Sequence, residues 1–133
     1  MVLFMVFTYN ISMKIYLYVL LGAIITLVAH MAGINGFYYT IFQYDIYMHI
    51  LGGITIGLFL YALISSFKLD LLNKRRNIIF GVFIIGIIWE LFEAYYNIAG
   101  APIGTKAYYI DTIKDLINDI IGGTVIAFLF IKK

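Results

Sequence analysis

The sequence predicts an all-α, polytopic membrane protein, a four-helix transmembrane bundle that forms one domain over residues 1–133. Hydrophobic residues make up 64% of the chain and charged residues only 12%, whereas ordinary soluble domains carry about 25% charged residues. The mean hydropathy is +1.01, and a chain this short cannot bury so much apolar surface in one soluble core. The apolar residues also fall into four segments, each of at least about 17 residues, the lower limit for crossing a bilayer core.

These segments predict helices over residues 15–31, 46–67, 78–97 and 112–131. The glycine-containing stretch 33–36, the polar stretch 68–77 and the turn at 99–105, which holds the only proline, separate them in that order. Residues 1–12 are apolar but too short to span. Met13 and Lys14 resemble the opening of a signal peptide, but no clear cleavage site follows, so we interpret the first helix as retained. Both Met1 and Met13 stay open as the true start.

The distribution of Lys and Arg predicts that both termini are cytoplasmic, in the cell membrane. In that topology seven basic residues lie on the inner side: Lys14, Lys68, Lys74, Arg75, Arg76, Lys132 and Lys133. Only Lys106 and Lys114 lie on the outer side, which is the positive-inside bias of membrane proteins. Tyr and Phe cluster at the outer end, where aromatic rings suit the interface. No basic cluster is large enough to bind nucleic acid, and the absence of cysteine excludes disulfides and thiolate metal sites.

Six of the seven acidic residues fall in the outer half of the predicted bundle or at its edge: Asp45, Glu90, Glu93, Asp111, Asp115 and Asp119. A carboxylate inside a membrane is costly and usually functional. The three aspartates of the last helix recur every four residues and therefore share one face, as do Asp45 and His49 on the second helix. Hydrogen bonding to Ser, Thr and Asn is the structural alternative, but six acids and a histidine exceed what helix packing needs.

Six carboxylates in a low dielectric repel one another, so their charge must be compensated. We expect Lys106 and Lys114 at the water edge, which leaves bound protons, bound cations or basic residues of a partner as the source. Carboxylates with one imidazole suit Mg²⁺, Mn²⁺ or Ca²⁺, or with more nitrogen ligands Zn²⁺ or Fe²⁺, and helical bundles build such sites from several helices. The sequence therefore predicts a divalent-metal site with these ligands: Asp45, His49, Glu90, Glu93, Asp115 and Asp119, with Asp111 at the rim. Glu90 and Asp115 are the candidate catalytic residues.

The second and fourth helices share a spacing pattern. Residues 45–53 read D-x-x-x-H-x-x-G-G and residues 115–123 read D-x-x-x-D-x-x-G-G. Both helices cross in the same predicted direction, so the pattern indicates either a parallel repeat or a shared use of one spacing. We interpret the glycine pairs as sites of close helix contact. His30 has no acidic neighbour in sequence and is interpreted as an interfacial or packing residue, and Trp89 as a packing residue.

Three blocks carry a family resemblance: D-I-Y-M-H-I-L-G at 45–52, W-E-L-F-E at 89–93, and D-T-I-K-D at 111–115 followed by Asp119 and Gly122. With them the chain resembles the YjdF-like family of small integral membrane proteins and, more distantly, the VanZ-like family. The resemblance covers the last three predicted helices, about two-thirds of the chain, which lacks the longer N-terminal helices of typical members. It supports treating the acidic residues as a site but implies no reaction.

The sequence leaves three functions open. A metal site facing lipid headgroups would hold a phosphate and activate water, serving a lipid-linked hydrolase or transferase. The carboxylates would instead carry protons or a cation in a small transporter, or pair with basic residues of a partner in a non-catalytic accessory subunit. No hydrolase nucleophile motif, phosphate-binding loop or metalloprotease motif is present. Membrane lipids are the expected partners, and so small a bundle is expected to form a symmetric homodimer.

Overall fold

The computed structural model describes residues 2–69, 71, 73–98 and 100–131, with side chains described from residue 13 onward. Four residues of the sequence-based interpretation lie outside this part: Met1, a candidate start; Asp70, the seventh acidic residue; and Lys132 and Lys133, which are counted in the topology. The described residues contain helices and no β-strand. In chain order the helices are α1 (Val2–Ala32), α2 (Tyr38–Thr40), α3 (Tyr44–Ser66), α4 (Lys74–Tyr96) and α5 (Lys106–Phe130). Four of them are long, as predicted.

The helix starts differ from the prediction because capping residues, and not apolarity, decide where a helix begins. Helix α5 starts six residues before 112, since the Thr105 hydroxyl accepts a hydrogen bond from the Tyr108 backbone N–H (3.2 Å). In the same way the Asn73 side chain accepts from the Arg76 backbone N–H (3.0 Å) and starts α4 four residues before 78. Helix α1 starts at Val2 and not at residue 15 because residues 2–12 contain neither Gly nor Pro to interrupt it.

The stretch 33–36, predicted to separate two helices, forms a kink between α1 and α2 within the π-helical turn Gly33–Phe37. Gly36 adopts a φ of 125°, which is not helical and which glycine tolerates because it has no Cβ. Among the residues that the structure describes, Met13–Thr40, which includes this kink, is one of three segments that are long and apolar enough to cross a membrane. The others are Tyr44–Ser66 and Lys74–Tyr96. Helix α5 has 25 residues, enough length for a span, and carries five charged residues, as α4 does, but Lys114, Asp115 and Asp119 lie within its apolar part.

Helix α3 is central and packs against α1, α4 and α5, while α5 packs against α3 and α4. Helices α3 and α5 run parallel, because Gly53 meets Asp119 and Gly57 meets Gly123 further along both chains. Helix α1 runs antiparallel to α3, and the Tyr44 hydroxyl donates to the Ala29 carbonyl (2.8 Å) near one end of this pair. This arrangement places the acidic residues of α3, α4 and α5 at one end of the bundle, called the acidic end below.

The crossing of α3 and α5 confirms the interpretation of the glycine pairs. A Cβ atom at Gly53 would collide with the Asp119 backbone, and one at Gly122 would collide with the Ile50 carbonyl. Beyond this crossing, away from the acidic end, a buried apolar cluster fills the space between α3, α4 and α5. Its members are Ile64, Ile78, Val82 and Ala127. The glycines and this cluster bring the two parallel helices close enough for their polar faces to touch one turn earlier.

Candidate metal centre

Four side chains of α3 and α5 meet just outside the glycine crossing. His49 is buried, with Nε2 3.7 Å from Asp45 Oδ1 and 3.9 Å from Asp115 Oδ1. On its other side, His49 Nδ1 lies 3.3 Å from Asp119 Oδ1. Asp115 and Asp119 are also buried. The i, i+4 pairs seen in the sequence therefore face each other across the helix interface.

Asp119 orients the imidazole ring of His49. When Nδ1 carries the ring proton and donates it to Asp119, the Nε2 lone pair faces the Asp45 and Asp115 oxygens. One atom from each of Asp45, His49 and Asp115 then lies within 4.8 Å of the other two. Three electron-rich atoms at this separation repel, so a positive charge close to them stabilises the arrangement, whether a metal ion, a proton on Nε2 or the nearby Lys114 ammonium. A carboxylate that orients a histidine in this way is common behind metal ligands.

The trio fits a divalent cation after a small contraction. Ligands about 2.0–2.2 Å from Mg²⁺ or Zn²⁺ lie roughly 3–3.5 Å from each other, and the two nitrogen–oxygen separations are 3.7 and 3.9 Å. Asp115 is only 3% exposed, and its Oδ1 has no hydrogen-bond partner. Buried carboxylate oxygens normally have a partner. The chemistry and the free oxygen both suit a cation at this point.

Lys114 corrects one expectation from the sequence. It does not stay at the water edge: its Nζ lies 2.5 Å from Asp111 Oδ1, 3.7 Å from Asp115 Oδ1 and 3.9 Å from Asp45 Oδ2. Its side chain is 39% exposed and so reaches the site from the rim. Part of the compensating charge therefore comes from the chain itself. One lysine among three carboxylates still leaves the group negative.

The remaining predicted ligands lie around this trio and do not join it. Glu90 is 5% exposed, its Oε1 has no hydrogen-bond partner, and the carboxyl interacts electrostatically with His49. Glu93 accepts a hydrogen bond from Trp89 Nε1 (2.9 Å). Asp111 is held at the rim by Lys114. The predicted set thus divides into three candidate ligands, the orienting Asp119, and three carboxylates at greater distance.

A cavity of about 240 Å³ lies between α1, α3 and α4 and reaches Asp119 on α5. His30, interpreted from the sequence as interfacial or packing, lines it and shares a hydrogen bond of 3.0 Å with the Tyr38 hydroxyl. The His30 ring also meets Trp89 edge-on at 6.4 Å. These contacts join residues from three helices, so no spacing in the sequence predicts them. Asn118 is also buried, and its Nδ2 has no hydrogen-bond partner. The sequence analysis did not single it out, although a polar amide next to Asp119 in an otherwise apolar helix would have indicated it.

Comparison with known proteins gives one match. The model of a protein family described as Predicted membrane protein (DUF2238) matches residues 1–132. No curated protein and no solved structure matches the chain.

Proposed function

The chain belongs to the DUF2238 family of predicted membrane proteins, which is the YjdF-like family, and we propose that it is a four-span protein that binds one divalent cation. The cation lies among Asp45, His49 and Asp115, in the outer half of the membrane. Its open coordination positions face a phosphate-bearing, lipid-linked substrate. The observation that carries this proposal is the trio of ligand atoms, with His49 and Asp115 buried and Asp45 partly exposed, in which a bound cation would relieve the repulsion.

The distribution of side chains on α5 supports its assignment as the fourth span. Its buried polar residues, Asp115, Asn118 and Asp119, face the other helices. Its outward face is apolar along the whole helix and exposes Ile110, Ile113, Ile117, Ile121, Val125 and Phe128. A helix with apolar residues outside and carboxylates inside a bundle is typical of membrane proteins with an internal polar site. In soluble helices the charged residues would lie on the exposed face.

The two ends of the bundle support the orientation with cytoplasmic termini. Lys74, Arg75 and Arg76 lie at the start of α4, at the end opposite the acidic residues. There Arg75 Nε donates to the carbonyl of Ile131 at the end of α5 (2.9 Å). Basic residues favour the cytoplasmic side. The acidic end and the exposed aromatic residues Tyr39 and Tyr95 then lie at the outer interface.

The side chains divide the proposed chemistry between them. A bound divalent cation would polarise a phosphoryl oxygen and activate a water molecule. Asp119 keeps the His49 ring in the orientation that presents Nε2. Glu90 has a buried acceptor oxygen that no protein group uses, so it is the residue available to accept a proton from water or substrate.

The packing beneath the site favours this function over a transporter. Alternating access requires a path that opens on both sides of a polar site. Here Gly53 and Gly122 bring the backbones of α3 and α5 into contact, and Ile78 and Val82 are fully buried below them. This packing closes the route between α3 and α5, and the cavity between α1, α3 and α4 is lined no deeper than Ile56 on α3 and Val82 on α4. Both features support access from the outer side alone.

The test is the metal content of purified protein, measured by mass spectrometry after incubation with Mg²⁺, Mn²⁺, Ca²⁺ or Zn²⁺. Wild type is expected to hold one ion per chain, and the isosteric Asp115→Asn variant none. Glu93→Gln is the matched control, because Glu93 is bound by Trp89 and lies outside the trio. If wild type binds no ion under any of these conditions, the metal proposal is wrong.

A further inference from the structure

The cavity beside the metal site is elongated along the helices. On α3 its lining extends from Asp45 to Ile56, eleven residues of helix or roughly 16 Å. One end therefore lies at the candidate metal ligands and the other lies towards the middle of the bilayer. The cavity crosses the depth at which a lipid changes from headgroup to hydrocarbon.

The two ends differ in chemistry. The acidic end of the cavity holds His49, Asp45 and Glu93, whereas Ile56, Val82 and Ile85 line the deep end. The two threonines of the deep end, Thr26 and Thr55, already bond each other at 3.0 Å, and Thr26 also donates to the Gly22 carbonyl (2.8 Å). The deep end thus suits an apolar group and the acidic end a polar one.

The cavity lies where two helices leave a gap. Helices α1 and α4 both flank α3, but in the described part of the chain their backbones hardly approach each other. The rings of His30 and Trp89 make the contact between them. A volume of about 240 Å³ is below the roughly 300–1,000 Å³ of pockets that enclose a drug-sized ligand. A ligand with a hydrocarbon chain would therefore leave part of that chain between α1 and α4, in the bilayer.

We infer that the ligand of this site is a phosphate monoester of a single-chain lipid, with its phosphate on the cation and its chain in the cavity between α1 and α4. This inference rests on the proposed function. Without a cation, the carboxylates at the acidic end would repel a negatively charged phosphate. A bound divalent cation would attract the phosphate instead. Membrane lipids supply both parts of such a ligand at the depth of the cavity.

The experiment uses Mn²⁺-loaded full-length protein in detergent and follows the ³¹P resonance of two probes, a monoacylglycerol phosphate and glycerol phosphate without the chain. Monoacylglycerol, which contains no phosphorus, is added as a competitor and is expected to displace the monoacylglycerol phosphate. Bound Mn²⁺ broadens the ³¹P signal of a phosphate that it contacts. Burial of the hydrocarbon chain in the cavity is favourable, so the monoacyl phosphate is expected to bind at least about tenfold more tightly than glycerol phosphate.

Two variants fill the deep end and one serves as the control. Ile85→Trp on α4 and Ile56→Trp on α3 both occupy the cavity and are expected to weaken binding of the monoacyl phosphate at least about tenfold. Ile88→Trp lies on the exposed face of α4 and should leave binding unchanged. Mn²⁺ binding, followed by its paramagnetic resonance, should be the same in all three.

Any one of the following results would overturn the inference. Equal binding of glycerol phosphate and the monoacyl phosphate, or binding that neither cavity-filling variant weakens, would show that the chain does not use the cavity. Bound Mn²⁺ without any effect on phosphorus would overturn the lipid ligand and leave the cation site intact. Absence of bound Mn²⁺ would overturn both the inference and the proposed function.

Discussion

The interface between α3 and α5 has two halves that differ in chemistry although the same two helices form both. In the half at the acidic end, His49 meets Asp115 and Asp119, and the buried Asp115 Oδ1 has no hydrogen-bond partner. In the other half, Gly57 lies against Gly123 and Ile126 with no polar side chain between them. The first half buries charged groups, which costs free energy, whereas in the second half the backbones of the two helices pack in direct contact.

This difference separates stability from function within one interface. Close packing of small residues is a main source of helix association in membranes. Buried ion pairs contribute little to stability and often reduce it. We therefore expect the glycine half to supply most of the stability of the interface, and on the proposed function the polar half serves cation binding. Changes in the two halves should therefore affect different measurements.

The largest expected effect is on stability, from Gly53→Ala. The added methyl group would collide with the backbone of Asp119, which cannot move aside like a flexible side chain. Overpacking typically costs about 1–3 kcal/mol and sometimes more, and we expect the upper end of that range. Unfolding of the helices by sodium dodecyl sulfate, followed by circular dichroism, measures the loss.

Gly52→Ala is the matched control for this variant, because the nearest atom to its added methyl group would be Asp119 Oδ1 at 3.9 Å, an ordinary contact. Its stability should equal that of wild type within about 1 kcal/mol, the difference in helix propensity between Gly and Ala. Equal stability of the two variants would contradict the close crossing of α3 and α5.

The next effect is on cation affinity, from Asp119→Asn. The amide keeps the size of the side chain but removes the charge that holds the His49 ring. Loss of an orienting partner behind a metal ligand usually lowers affinity about 10- to 100-fold. Calorimetric titration of the purified protein with Mn²⁺ measures the change, and the unfolding curve should stay close to that of wild type. Unchanged affinity would show that Asp119 serves packing alone.

The smallest effect is a gain, from Lys114→Met. The lysine ammonium competes with a cation for Asp45 and Asp115, at 3.9 and 3.7 Å. Its side chain is partly exposed, and exposed ion pairs are worth about 0.2–1 kcal/mol, so affinity for Mn²⁺ should rise roughly two- to fivefold. Lys106→Met, an exposed lysine at the start of the same helix, is the control and should not change affinity. A weaker site in Lys114→Met would mean that the lysine stabilises the ligands more than it competes with the ion.

The sequence predicts the pairing of Asp45 and His49 with Asp115 and Asp119 because the spacing of four places each pair on one face. The glycine pairs follow for the same reason, since they lie one turn further along both helices. The helices themselves are predicted by the length of their apolar segments. Their starts are not, because Thr105 and Asn73 act through single hydrogen bonds that hydropathy does not register.

The sequence could not predict the ion pairs of Lys114 or the residues that line the cavity, because both depend on contacts between different helices. Whether a lysine near the start of an apolar segment turns to water or to a carboxylate depends on which residue the neighbouring helix places opposite it. Here that residue is Asp45 of α3. His30 likewise has no acidic neighbour in sequence and gains its place through the π-helical turn that brings Tyr38 beside it. Such contacts arise from the arrangement of the helices and leave no periodic pattern in the chain.

The charges on α5 also bear on how the protein is made. Asp119 lies near the middle of α5, and a carboxylate at the centre of a membrane helix adds about 2.5–3.5 kcal/mol to the free energy of insertion. Asp115 and Lys114 add to this cost, so α5 enters the membrane poorly by itself. It leaves the ribosome after α3 and α4 are synthesised. In the proposed topology, insertion of α5 would therefore depend on the groove that those two helices offer, and the step that completes the proposed metal site would also be the step that inserts α5.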